Sequence, residues 1–222
     1  ANFERVREEP TCELLHQHWF AHGLVMRTPA SSIKPKHWWW IRLPYTGFYL
    51  DGFTRLEQDY QKKWSARARR AQKKYLTHGL EIRCVSRELF EKEYAQAHTK
   101  TPYKSSFIRC FHNLTAIDPT AFRNFLCYQN DTVVAGMSVF DYSPTSSVHF
   151  VAFISPEGKD LQAGTGLIDY RFQTSLKQWL TYLSFDHLKD PSMWRSHIGY
   201  TQFKENFMDF TVAYKTTYLR AM

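Results

Sequence analysis

Lys204 lies in Gly199–Tyr200–Thr201–Gln202–Phe203–Lys204–Glu205–Asn206–Phe207, a single base in a short turn between aromatic rings. An ammonium partly stripped of water there can steady the oxyanion formed when a nucleophile adds to an acyl carbonyl. The competing reading is a surface lysine beside two core phenylalanines. A second stretch, Ser155–Pro–Glu–Gly158–Lys–Asp–Leu161–Gln162–Ala–Gly164–Thr165–Gly166, leaves a strand and opens a helix through a glycine-rich turn. Backbone N–H groups of Gly164, Thr165 and Gly166 at such a start can cradle an anion or polarise a carbonyl, although plain connectors look the same.

The third stretch is cationic. Lys62, Lys63, Arg67, Arg69, Arg70, Lys73 and Lys74 put seven bases into thirteen residues, nearly the whole net charge of +8. The spacing predicts one long helix over residues 54–75. Thr54 with Glu57 forms a capping-box pattern, Glu57 and Asp59 complement the N-terminal dipole, and Gly79 stops the run. On that helix Trp64, Ala68, Ala71 and Tyr75 share an apolar stripe. Lys63, Arg67, Arg70 and Lys74 share a second stripe, and Lys62, Arg69 and Lys73 a third. With no acidic partner after Asp59, the bases are expected to hold phosphates rather than only to solvate a surface.

Other polar residues are weaker candidates. Asp141, His149 and Asp186 fall at or near ends of expected strands, where they could accept a proton or merely serve turns. His16, His18 and His22 have no Cys or acidic companion nearby, so no metal site is expected. Trp38, Trp39 and Trp40 alternate faces in a short strand, which favours core packing over base stacking. Asn113–Leu114–Thr115 fits the glycosylation sequon but is without meaning in a cytosolic chain.

The positioning elements alternate in type. A helical, histidine-rich stretch (12–23) and a connector to about residue 35 precede a strand over 37–43. Beyond the basic helix come a strand (80–85), a helix (86–99) capped by Ser86, and a short helix (106–114). Three strands follow, 122–128, 132–142 and 147–155, joined by turns at Asn130–Asp131 and Pro144. A helix (166–179), a strand (182–186), a turn (202–207) and a strand (210–219) close the pattern. This is an α+β chain built on an antiparallel meander.

The 222 residues suffice for one large domain or a domain with an appendage, and 43% hydrophobic with 17% aromatic residues excludes a disordered chain. No apolar run approaches the ~20 residues that cross a bilayer. No signal peptide is evident, and Ala1 in place of an initiator Met suggests a trimmed or partial chain. Cys12, Cys84, Cys110 and Cys127 lack metal or disulfide spacing and fit a reducing, cytoplasmic location. The positive charge points to nucleic acid, a nucleotide or peripheral contact with an anionic membrane surface.

A meander followed by a glycine turn and a helix is similar to the core of the GNAT acyltransferase fold. Acetyl-CoA users in that fold show Q/R-x-x-G-x-G/A at the turn. Aligned on Gly164 and Gly166, the leading position here is Leu161, with Gln162 one place out of register. Tight coenzyme A binding is therefore not expected.

The basic helix, the Gly turn and the terminal G-x-x-x-F-K-x-x-F together resemble the Fem-type (FemABX) family, over about residues 38–219. The resemblance implies a single GNAT-like domain (36–222), a mostly antiparallel sheet flanked by helices, with residues 1–35 as the tail of a preceding domain. It implies transfer of an amino acid from aminoacyl-tRNA to a nucleotide- or lipid-linked peptidoglycan precursor, without a cofactor. Lys204 matches the functional lysine of the family's FK motif, Phe203 its neighbour, and Arg69 and Arg70 the arginine-rich helix that faces acceptor phosphates. Two departures stand out: the family's FGG is Phe207–Met208–Asp209, and its D-x-G-G turn is Asp186–His187–Leu188. An acyltransferase using acyl-CoA or acyl carrier protein, and a non-catalytic RNA- or nucleotide-binding domain, are the alternatives.

Overall fold

The computed structural model describes residues 23–28, 41–42, 49–97, 108, 111–112, 115, 120–188, 198–214 and 216–221. In chain order the elements are β1 (Gly23–Thr28), β2 (Ile41–Arg42), β3 (Tyr49–Arg55), a 3₁₀ turn (Tyr60–Lys63), α1 (Ala66–Leu76), β4 (Glu81–Val85) and α2 (Arg87–Gln96). Then follow β5 (Phe122–Gln129), β6 (Thr132–Ser143), β7 (Ser146–Ile154), α3 (Pro156–Asp160), α4 (Ala163–Lys177), β8 (Tyr182–Leu188), α5 (Ile198–Lys204), β9 (Phe210–Tyr214) and β10 (Thr216–Ala221). The chain is α+β, as expected, and divides into two compact units. One is Arg55–Leu183; the other joins Ala1–Thr54 to Ser184–Met222.

The Arg55–Leu183 unit is built on the meander β4–β5–β6–β7, antiparallel at each pairing. Asn130 and Asp131, both with positive φ, turn the β5–β6 hairpin, as their types predict. Side chains alternate across the meander, so its two faces carry different chemistry. On one face Leu126, Val151 and Phe153 pack with Phe90 and Tyr94 of α2. Gly136 lies between them because a Cβ there would come within 2.3 Å of the Phe153 ring. Ser86 caps α2 by accepting from the Leu89 N–H, as the sequence indicates.

The opposite face meets α4, where Tyr170 lies edge-on to Phe125 at 5.3 Å. The 3₁₀ turn and α1 are seated on α4 by aromatic contacts. Trp64 meets Phe172 edge-on at 5.5 Å, and Tyr60 lies 4.6 Å from the same ring. Tyr60 Oη donates to Asp169 Oδ1 at 2.6 Å, and burial together with that carboxylate pushes the phenol pKa up. Near the far end of α1, Tyr75 covers Gly166, where any Cβ would fall 2.2 Å from the ring.

In the other unit β1–β10–β2 form an antiparallel sheet, Gly23 opposite Ala221. β3 pairs antiparallel with β9 from Tyr49↔Tyr214 to Phe53↔Phe210. β1 lies inside the stretch expected to be helix and connector. Residues 12–22 of the helix expected over 12–23, and the tryptophans at 38–40, fall outside the described residues.

Candidate functional site

The expected single helix over 54–75 is two pieces. Thr54 belongs to β3, where its hydroxyl donates to Asp209 Oδ2 at 2.9 Å instead of capping a helix. α1 starts at Ala66, with Ser65 Oγ accepting from the Ala68 N–H. Trp64 and Ala68 of the apolar stripe are buried, and Gln72 joins them.

This break divides the basic residues into two groups. Lys62 pairs with Asp59 at 2.8 Å and Lys63 with Glu57 at 2.9 Å. Arg69 turns back on the chain: its Nη1 donates to the Lys62 carbonyl at 3.2 Å and to the Trp64 carbonyl. That guanidinium ties the 3₁₀ turn to α1 and so has a structural task of its own. Arg67, Arg70, Lys73 and Lys74 remain exposed, and among the described residues no side chain pairs with them.

The glycine-rich turn also differs from expectation. Ser155 caps a one-turn helix, α3, with Pro156 at its first position. Gln162, in the left-handed region at φ 61, then precedes α4. Gly164, Thr165 and Gly166 therefore occupy the first turn of α4 rather than a loop before it. The Thr165 and Gly166 N–H groups donate to the Gln162 carbonyl at 3.0 and 3.2 Å. Gly166 has a packing reason, the Tyr75 ring, which the sequence shows no sign of.

Lys204 ends α5 and is only 2% exposed, which rules out the surface-lysine reading. Its Nζ stands 4.1 Å from the Tyr200 ring centroid, one helical turn earlier. Phe203 meets Phe207 edge-on at 5.0 Å, and Phe207 stacks with Phe185 of β8 at 6.3 Å. Met208 and Leu188 close over Gly52 of β3, where a Cβ would lie 2.6 Å from the Met208 sulfur. The Asp209 N–H donates to the Phe53 carbonyl at 2.8 Å. The Phe207–Met208–Asp209 departure thus fastens the turn after Lys204 to β3. Beside Gly52, Asp51 is 0% exposed. No motif in the sequence singles out this carboxylate, because a lone Asp in an aromatic strand has no local signature.

Of the proton-acceptor candidates, Asp141 is engaged. Arg123 Nε and Nη2 donate to its two oxygens at 2.7 and 2.8 Å. Arg123 also reaches Thr174 and Ser175 of α4, both at 3.1 Å. His149 is buried in β7. Asp186 takes a left-handed φ of 58 in β8, its N–H donating to Ser184 Oγ at 3.0 Å. Asp186 shares a unit with Lys204, whereas Asp141 and His149 share one with α1 and α4. Among the described residues no cluster of three or more His, Cys, Asp or Glu could hold a metal ion. None of the described helices is long and apolar enough to cross a membrane.

No protein-family model matches this chain, and no curated protein matches it. Solved structures do. FemX superposes with a TM-score of 0.63 at 11% identity, over 78% of this chain and 61% of FemX. A conserved protein of unknown function from Bacteroides thetaiotaomicron gives 0.55 at 15% identity, over 82% of this chain and 62% of that one. A GCN5-related glucosamine N-acetyltransferase region in a fungal multi-domain GH3 β-N-acetylglucosaminidase gives 0.51 at 11% identity, over 81% and 21%. The chain thus spans about three fifths of the length of the first two. At these identities the likeness concerns architecture, and it agrees with the meander-and-helix order: the protein has a GNAT-like fold.

Proposed function

We propose that this protein is an aminoacyltransferase that moves an amino acid from aminoacyl-tRNA to an amine of a peptidoglycan-precursor peptide or a similar acceptor. The acceptor amine adds to the ester carbonyl, and the tetrahedral intermediate collapses with loss of the RNA ribose oxygen. Lys204 steadies the oxyanion, with Phe203 fixing the segment through its contact with Phe207. The observation that carries this reading is the burial of Lys204 at the F-K position: an ammonium shielded from water acts far more strongly on a developing charge than a solvated one. Asp186, in the same unit as Lys204, is assigned to proton acceptance.

The test is transfer of radiolabelled amino acid from charged tRNA to a nucleotide-linked peptidoglycan precursor. Lys204→Met keeps the apolar stem, so kcat is expected to fall about 10²–10³-fold with KM little changed and the melting temperature held. Unchanged kcat would remove Lys204 from the chemistry. Saturable acetyl transfer from acetyl-CoA, with micromolar affinity by calorimetry, would replace the aminoacyl ester by a thioester donor.

A further inference from the structure

The exposed face of α1 has a geometry that a small ligand does not need. Arg67, Arg70 and Lys74 follow one another at i, i+3 and i+7, with Lys73 beside them. At 1.5 Å rise per residue they span about 10 Å of helix axis. The side opposite is already used, since Trp64 and Ala68 are buried and Tyr75 covers Gly166. The outward face is therefore convex and cationic. Among the described residues no carboxylate neutralises it and no exposed aromatic ring stands among its four bases.

A nucleotide diphosphate is best held in a concave site whose donors converge on two neighbouring phosphates. A convex row of cations can meet several successive phosphates of a polymer at once, and each contact releases a counterion. With no ring to stack on a base, such a face holds backbone and carries no sequence preference. A lipid surface would be engaged most firmly by a helix with an apolar side free to insert; the apolar stripe of α1 faces α4, and a single large apolar side chain of the helix, Leu76 at its end, is exposed.

We propose that Arg67, Arg70, Lys73 and Lys74 form a docking surface for the phosphodiester backbone of a nucleic-acid strand. Arg69 is a positioning residue that holds the helix against the 3₁₀ turn. The surface stands on its own geometry; its assignment to the RNA of the donor rests on the proposed function.

Binding of unfractionated tRNA, followed by fluorescence anisotropy across a salt series, tests this without any transfer reaction. Arg67→Ala, Arg70→Ala and Lys74→Ala combined are expected to weaken binding about 10²-fold near 0.1 M salt. The slope of log affinity against log salt should flatten by about one unit per lost contact. Circular dichroism should be unchanged, and Arg70→Glu alone serves should the triple variant fold poorly. Arg69→Ala should lower the melting temperature while leaving the salt slope as it was. A triple variant that binds tRNA like the parent overturns the proposal. So does binding of UDP, or of phosphatidylglycerol vesicles, that depends on these bases while tRNA binding does not. Intact tRNA docking on α1 with no aminoacyl transfer would leave the surface standing and remove the proposed reaction. Transfer that survives without tRNA docking on α1 would do the reverse.

Discussion

Arg70 and Arg123 belong to the same unit and are used in opposite ways. Arg70 stands on an exposed helix face with no acid opposite it among the described residues. Arg123 is buried in β5, with two nitrogens on Asp141 and hydrogen bonds to Thr174 and Ser175. In water a guanidinium is solvated and available; inside the meander it must be fully engaged, because an uncompensated buried charge is costly. Arg69 stands between the two, exposed but bound to backbone carbonyls. A cluster of bases in a sequence is thus not one property. It separates into cations that hold the protein together and cations left over for a partner.

The largest expected difference comes from Arg123. Arg123→Ala should destabilise the fold by about 3–5 kcal/mol in chemical denaturation, because the half-buried Asp141 loses its charged partner and Thr174 and Ser175 lose a donor. Replacing both, as Arg123→Met with Asp141→Leu, should recover most of that loss. A single variant losing under about 1 kcal/mol would place Arg123 with Arg70 and erase the contrast.

The buried side of the unit should also respond to alkali. Burial pushes the Tyr94 and Tyr75 phenols up to about 12 from an ordinary 10, Tyr75 with a smaller push from neighbouring groups. Above pH 10 the unfolded chain gives up these protons while the folded one keeps them. Their stabilisation is therefore complete below pH 10 and falls as the pH rises toward 12. Tyr94→Phe should remove about 1.4 kcal/mol of that alkaline loss at pH 11. Urea unfolding at pH 8 and pH 11 checks it, and an unaltered pH dependence in the variant would contradict a buried, neutral Tyr94.

The smallest difference is expected on α1 itself. Arg69→Ala should lose about 1 kcal/mol as the two carbonyls lose their donor, while Arg70→Ala should change stability by less than about 0.5 kcal/mol. Equal losses at the two positions would mean that the face of α1 is structural throughout.

What the sequence shows of this molecule follows the range over which its signals act. β4 through β7, the Asn130–Asp131 turn and the Ser86 cap are legible because alternation, turn chemistry and capping act within a few residues. The start of α1 is misplaced because Thr54 and Glu57 imitate a capping box. In the fold Thr54 answers to Asp209, which is 155 positions away. The α4 start fails for a similar reason: Gly164 and Gly166 look like a loop, but the demand on Gly166 comes from Tyr75 in another helix. The F-K turn, marked by clustered aromatic residues, is visible as a candidate, and its burial is not. Arg123 and Asp51 give no signal, since neither sits in a local motif, and the partners of Arg123 (Asp141, Thr174 and Ser175) come from other elements.

The registers of the unit formed by Ala1–Thr54 and Ser184–Met222 bear on the order in which the protein folds. Each hairpin of the meander closes over a turn of a few residues, whereas pairing Gly23 with Ala221 joins nearly the two ends of the described chain. Closing that loop costs about 3 kcal/mol more chain entropy than closing a hairpin. During synthesis every residue of Arg55–Leu183 has emerged before β9 and β10 exist. The segment that bears Lys204 emerges after the cationic helix, so a growing chain presents its docking surface before the buried ammonium is in place.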